Sequence, residues 1–157
     1  MVNHRKLVLL NDMALQLKPE ALALGETGRV FIAGSDLVRM TLAELAVPGA
    51  EMVWTDFRHS ASLAGLHCVI QQAGGLDRMV LAADGEQSES VFSIMCAVLT
   101  LLPSLRRKRS AAVELLCRDG NAAGSLVQFV DRINPRLSDD GISLSLELLN
   151  HLDRAAA

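Results

Sequence analysis

Arg29-Val30-Phe31-Ile32-Ala33-Gly34, followed by Ser35-Asp36 and the stretch from Leu37 to Val47, decides the fold of this 157-residue chain. After Arg29 the first run is continuously apolar and contains β-branched and aromatic residues, the pattern of a strand buried on both faces. The stretch after it repeats its apolar positions at the helical period, with Val38, Leu42 and Leu45 on one face. Pro48-Gly49 ends that helix, because proline cannot continue the hydrogen-bond ladder and glycine accepts the turn. Outward from there the alternation recurs. Glu51-Met52-Val53-Trp54 leads through Thr55-Asp56 into a helix from about Ser60 to Ala73, in which Leu63, Leu66 and Ile70 share a face and which Gly74-Gly75 closes. Arg78 to Ala83 is a third strand, turned by Asp84-Gly85 into a long helix from about Ser88 to Arg107. Val113 to Cys117 is a fourth, followed near Ala122 to Asn134 by a helix carrying Leu126, Phe129, Val130 and Ile133 and stopped by Pro135. After the Asp139-Asp140-Gly141 turn, Ile142, Leu144, Leu146 and Leu148 alternate with Ser143, Ser145 and Glu147, as in a strand with one wetter face.

Strands alternating with helices predict an α/β fold, a three-layer Rossmann-like domain with a mainly parallel sheet of five or six strands. Residues 1–157 read as a single domain with its core in 28–157. Residues 1–27 read as an N-terminal strand or hairpin extension, in which Leu7 to Leu10 and Met13 to Leu17 flank an Asn11-Asp12 turn.

Half of the residues are apolar and about a fifth are charged, which excludes a disordered chain. The formal charge of −3 lacks the basic excess of a nucleic-acid binder. Arg106-Arg107-Lys108-Arg109, the one basic run, reads as a solvated helix end, where unpaired carbonyls favour cations. The apolar stretch from Val91 to Leu102 is too short to span a bilayer, and a cytoplasmic protein without a membrane partner is expected. Cys68, Cys96 and Cys117 lie singly in apolar segments and read as buried free thiols; neither they nor His59 and His67 have metal-ligand spacing, so no metal is expected.

Several pieces resemble the short-chain dehydrogenase/reductase family. Gly34 to Asp56 is similar to that family's first turn, helix and second strand, with a few residues deleted at the turn. Gly74 to Ala83 resembles the approach to its fourth strand, Val98 to Arg107 the end of its long interface helix, and Gly141 to Leu144 a late strand. The resemblance covers roughly residues 28–146 and implies a dinucleotide on a glycine-rich turn G-x-x-x-G-x-G, where backbone amides approach the phosphates. Here Gly34 is followed by Ser35-Asp36-Leu37-Val38-Arg39 without a second glycine, and Asp36 reads as a helix cap. Gly34, Asp56 and Asp84 are the vestiges of a cofactor site; Asp56 matches the position where the family holds an acid against the adenosine ribose. The family's chemistry also needs a tyrosine acid, a lysine four residues later and a serine. This chain has no tyrosine, and its lysines, Lys6, Lys18 and Lys108, all precede the helix that would carry the pair.

The expectation is therefore a non-catalytic, short-chain dehydrogenase/reductase-like subunit without a cofactor. It would support or regulate a homo- or hetero-oligomer, the partner being in one version an active dehydrogenase or ketoreductase. In the family the helices corresponding to 88–107 and 122–134 meet those of another subunit, so Val91, Met95, Val98, Leu102, Leu126, Phe129, Val130 and Ile133 are the candidate interface. Two alternatives stand beside it: a small nucleotide-binding oxidoreductase with an unrecognised active site, and a homodimeric interaction module. A receiver domain is excluded: Asp36 is a lone acid where receivers need a pair, and no lysine follows Lys108.

Overall fold

A computed structural model of the chain describes residues 6–17, 27–105 and 111–149. Among them, six strands form one sheet: β1 (Lys6–Asn11), β2 (Thr27–Gly34), β3 (Glu51–Trp54), β4 (Arg78–Asp84), β5 (Ala111–Arg118) and β6 (Ile142–Leu149). Their order is β3-β2-β1-β4-β5-β6, and every pairing is parallel. The chain builds outward from β1 to one edge, then returns across it to β4 and builds to the other. The point of reversal, between β1 and β4, is where an open parallel sheet offers a crevice.

The sequence reading of residues 1–27 as an extension is corrected here. Lys6 to Asn11 is the inner strand on which both halves of the sheet are founded, and Val8, Leu9 and Leu10 have no exposed surface. Its unbroken apolar run is what a strand covered on both faces requires. The hairpin alternative fails because the segment after it turns through Asp12-Met13 into a 3-10 segment, Ala14–Leu17, that packs on β1 and β4. Gly34 consequently ends the second strand, so the likeness to the family's first turn moves back one unit, to residues 11–17.

Four helices connect the strands: α1 (Leu37–Ala46), α2 (Ser60–Gln72), α3 (Ser88–Leu101) and α4 (Ala123–Asp139). Leu63, Leu66 and Ile70 of α2, Val91, Ile94 and Val98 of α3, and Leu126 and Val130 of α4 pack with Leu9, Phe31, Met79, Leu81, Val113 and Leu115 on one face of the sheet. The opposite face buries Val8, Leu10, Ile32, Val80 and Ala82 under Ala43 of α1 and under Ala14 and Leu15. That makes three layers, as expected.

Helix boundaries depart from the sequence in instructive ways. Asp36 does cap α1: its Oδ1 accepts from Val38 N at 3.0 Å and Arg39 N at 3.2 Å. Yet the face carrying Val38, Leu42 and Leu45 points to solvent, at 71%, 61% and 75% exposure, while Met40 and Ala43 face the sheet. The capped connection from Gly34 fixes the rotation of the helix, and the small Ala43 lets it lie close. α3 stops at Leu101, earlier than read, because Pro103 converts its end to the 3-10 segment Leu102–Ser104. The basic run at 106–109 lies outside the described residues. α4, by contrast, continues through Pro135 to Asp139. A proline inside a helix costs roughly 3 kcal/mol. Burying Leu137, which is 5% exposed, contributes about 1.5–3 kcal/mol and holds the last turn.

Candidate functional site

The carboxyl ends of β1 to β5 carry most of the polar side chains that sit deep in the fold. At the end of β1 the Asn11 side chain is buried and makes three hydrogen bonds. Its Nδ2 donates to Ala82 O at 2.9 Å, and its Oδ1 accepts from Ala82 N at 2.9 Å and from Ala14 N at 3.1 Å. Asp12 follows, with its N–H donating to Ala33 O at 3.0 Å and its carboxyl lying against Gly34. A β-carbon at residue 34 would stand 2.6 Å from Asp12 Cγ, so Gly34 is there to make room for a carboxylate, not for a phosphate. Burial raises the Asp12 pKa above the usual carboxylate value, and the Arg39 guanidinium only partly opposes it.

At the end of β3 stands Asp56, 7% exposed. Its Oδ1 accepts from Arg58 N at 3.0 Å and Arg58 Nε at 3.1 Å, and its Oδ2 from Arg58 Nη2 at 3.2 Å. His59 Nε2 approaches the same carboxylate at 3.4 Å. These bonds, chiefly from the Arg58 side chain, hold the acid below its ordinary pKa. Asp56 N donates to Ser62 Oγ at 2.8 Å, which pins the entry to α2. An acid so fully engaged has little left to offer a ribose hydroxyl.

The ends of β4 and β5 are tied to each other. Gly85 N donates to Arg118 O at 2.8 Å and Ala122 N donates to Gly85 O at 2.7 Å. A β-carbon at Gly120 would stand 2.5 Å from Glu86 N, and one at Gly85 would collide with the Arg118 carbonyl, so both glycines are needed for backbone to meet backbone. Asp84 Oδ1 accepts from Glu86 N at 3.1 Å, and Arg118 reaches Glu86 at 3.0 Å and Asp84 at 3.6 Å. Next to this cluster, Cys117 is pushed up to about 11, first by burial and then by the charges of Asp84 and Asp119.

Between the ends of β1, β2, β3 and β4 remains a cavity of about 210 Å³, bordered by Asn11, Asp12, Ser35, Arg39, Asp56 and Arg58 and, on the side of β4 and α3, by Ala82 and Ser93. Ligand pockets usually run to about 300–1,000 Å³. A larger groove of about 620 Å³ lies beside it between α2 and α3, with Phe57, Leu63, Phe92 and Leu99 along its walls.

Of the residues singled out in the sequence, Asp56 borders the smaller cavity, Gly34 ends β2 against the Asp12 side chain, and Asp84 lies where β4 and β5 are tied together. Ser35 and Asp36 sit at the rim of that cavity. The candidate interface splits. Val91, Val98, Leu126 and Val130 are buried within the monomer and are corrected to core; Met95, Leu102, Phe129 and Ile133 are half-buried against that core. The apolar side chains of α3 that do reach solvent are Phe92 and Leu99, at 63% and 53% exposure, and neither was singled out. Cys68 is likewise exposed, Cys96 half-buried and only Cys117 buried, against the expectation for all three. Among the described residues no three His, Cys, Asp or Glu side chains are grouped to hold a metal ion, and no helix is long and apolar enough to cross a membrane. Sequence reasoning missed Asn11, Asp12, Arg58, Gly85 and Gly120; a glycine in each of two turns that follow strands was the only visible sign of the β4–β5 contact.

An all-parallel sheet of this order with helices on both faces defines a Rossmann-like α/β domain, and its likeness is to short-chain dehydrogenases. Neither a protein-family model nor a curated protein matches the sequence. Among solved structures, a short-chain dehydrogenase from Streptomyces avermitilis is similar over 90% of this chain and 64% of its own, with a TM-score of 0.68 and 16% identity. The Cj0485 dehydrogenase is similar over 93% of this chain and 68% of its own, with a TM-score of 0.73 and 13% identity. A structure from Brucella melitensis 16M described as ribose-5-phosphate isomerase reaches a TM-score of 0.75 at 12% identity, over 90% of this chain and 67% of its own. The chain thus spans about two thirds of the length of each. Likeness at this identity establishes the fold alone, and two dehydrogenases beside an isomerase illustrate how little a fold fixes the reaction.

The residues at the crevice do not fit the dinucleotide that such folds hold. The turn after β1 has no glycine between Asn11 and Leu17 to let a pyrophosphate approach, and it places the Asp12 carboxylate there instead. Asn11 joins β1 to β4 where the crevice would open, and Asp56 is occupied by Arg58.

Proposed function

We propose that this chain is a non-catalytic, short-chain dehydrogenase/reductase-like subunit that supports or regulates an oligomer, one version of which pairs it with an active dehydrogenase or ketoreductase. The observation that carries the reading is the backbone contact of Gly85 and Gly120, which ties the ends of β4 and β5 to each other where the resemblance would place substrate and cofactor. The chain also has no tyrosine to act as the acid, and no lysine after residue 108. Phe92 and Leu99, with the half-buried Met95 and Leu102 beside them, are the surface that a partner subunit would cover.

Calorimetry with NAD(H) and NADP(H) tests the first half. Binding heats are expected to be absent at millimolar nucleotide; micromolar affinity favours the nucleotide-binding oxidoreductase instead. Affinity purification of the full chain from its native cell tests the second. A dehydrogenase that copurifies supports the mixed complex, whereas recovery of the chain only with itself reduces the reading to a homodimeric module.

A further inference from the structure

We infer that the Asn11 side chain is a lock at the reversal point of the sheet, pinning the end of β1 to β4 along the inner wall of the crevice. The main-chain ladder between these strands is short, running from Val8↔Arg78 to Leu10↔Val80, while β4 goes on to Asp84. Ala82, 1% exposed, would be left with an N–H and a carbonyl unpaired on the side facing β1. Both go to one primary amide: Asn11 Nδ2 gives to Ala82 O, and Ala82 N gives to Asn11 Oδ1, each at 2.9 Å.

A carboxamide carries one N–H on the same edge as its carbonyl, so Asn11 can meet both the N–H and the carbonyl of Ala82 and adds a rung that the backbone no longer supplies. The main chain is released to turn through Asp12, and the same Oδ1 receives Ala14 N at 3.1 Å and fixes that turn. Leaving buried main-chain groups without partners is costly, so the two strand ends cannot part without losing both bonds to Ala82 together. Asparagine is specific for this. Serine offers a shorter reach, and ionised aspartate would face the Ala82 carbonyl with a second acceptor.

The inference rests on the reading that this crevice holds no nucleotide, and the two can fail separately. Nucleotide binding by the unaltered chain defeats that reading, whereas the lock is judged by amide hydrogen exchange. In Asn11→Ala the amides of Ala82 and Ala14 are expected to lose at least tenfold more protection than that of Val113, one strand further out. Equal loss at all three, or none, overturns the lock.

Asn11→Asp supplies a second measurement should the alanine variant not fold. A protonated carboxyl can again donate to Ala82 O, so protection at Ala82 should return as the pH falls, relative to the unaltered chain at the same pH. Asp12, Asp36, Arg39, Asp56 and Arg58 border the same cavity in both proteins, which is why the comparison is made pairwise. Acidification that leaves Ala82 in the aspartate variant as exposed as at neutral pH sinks the inference.

Discussion

Asp12 and Gly34 illustrate how one residue dictates another across a strand boundary. The Asp12 carboxyl fills the space a side chain at 34 would need, with Cγ 2.6 Å from where a β-carbon would sit. Gly34→Ala should therefore destabilise by about 1–3 kcal/mol, as overpacking does. The double variant with Asp12→Gly should recover part of the loss in urea denaturation. Burial also raises the Asp12 pKa, so the native state holds a proton that the unfolded chain releases at lower pH. Stability then falls as the pH rises from about 3.8 through the native-state pKa, and Asp12→Asn removes that loss. The variant should exceed the unaltered chain in stability at pH 7, and the gap should close near and below pH 3.8. A gap unchanged with pH would show that packing, not ionisation, governs this site. Cys117 gives a second check at this scale. Its thiol, raised to about 11, should be the last of the three to react with iodoacetamide at pH 8, and the exposed Cys68 the first, as read by mass spectrometry.

Among elements, α1 separates what a periodic sequence specifies from what it leaves open. Period 3.6 identified the helix and Asp36 its start, and both agree with the structure. Periodicity does not say which stripe turns inward, because that depends on the short link from Gly34 and on the space above β1 and β2. Leu42, on the apolar stripe with Val38 and Leu45, is 61% exposed; Met40, not singled out, is buried. Leu42→Glu should thus change stability by no more than about 0.5 kcal/mol. Met40→Ala should cost about 2–5 kcal/mol, measured by the same urea titration. The alternating pattern of β6 was legible because its polar partners are plain: Ser143, Ser145 and Glu147 are exposed, and Ile142 and Leu144 are buried. The site was harder to see. Asn11 and Asp12 are turn residues by composition, and only the parallel partner strands, distant in sequence, make one a rung and the other a wedge.

For the molecule as a whole, the position of β1 decides how the fold holds together. A segment read as an extension would be dispensable, and its removal would trim stability by a modest amount. In the sheet observed, β1 pairs with β2 on one side and β4 on the other, and both apolar layers contain its side chains: Leu7 and Leu9 in one, Val8 and Leu10 in the other. Among the described residues no other strand pairing joins the β3–β2 half to the β4–β5–β6 half. Removing it would unpair two inner edges at once and expose the faces of Phe31, Ile32, Met79 and Val80 that it covers, losses that exceed the roughly 5–15 kcal/mol by which a domain of this size is stable. Deletion of residues 1–11 is accordingly expected to abolish the cooperative thermal transition seen by circular dichroism. A shortened chain that still melts in one sharp step would mean that the two halves can close on each other without their central strand, and that the sheet order found here does not govern stability.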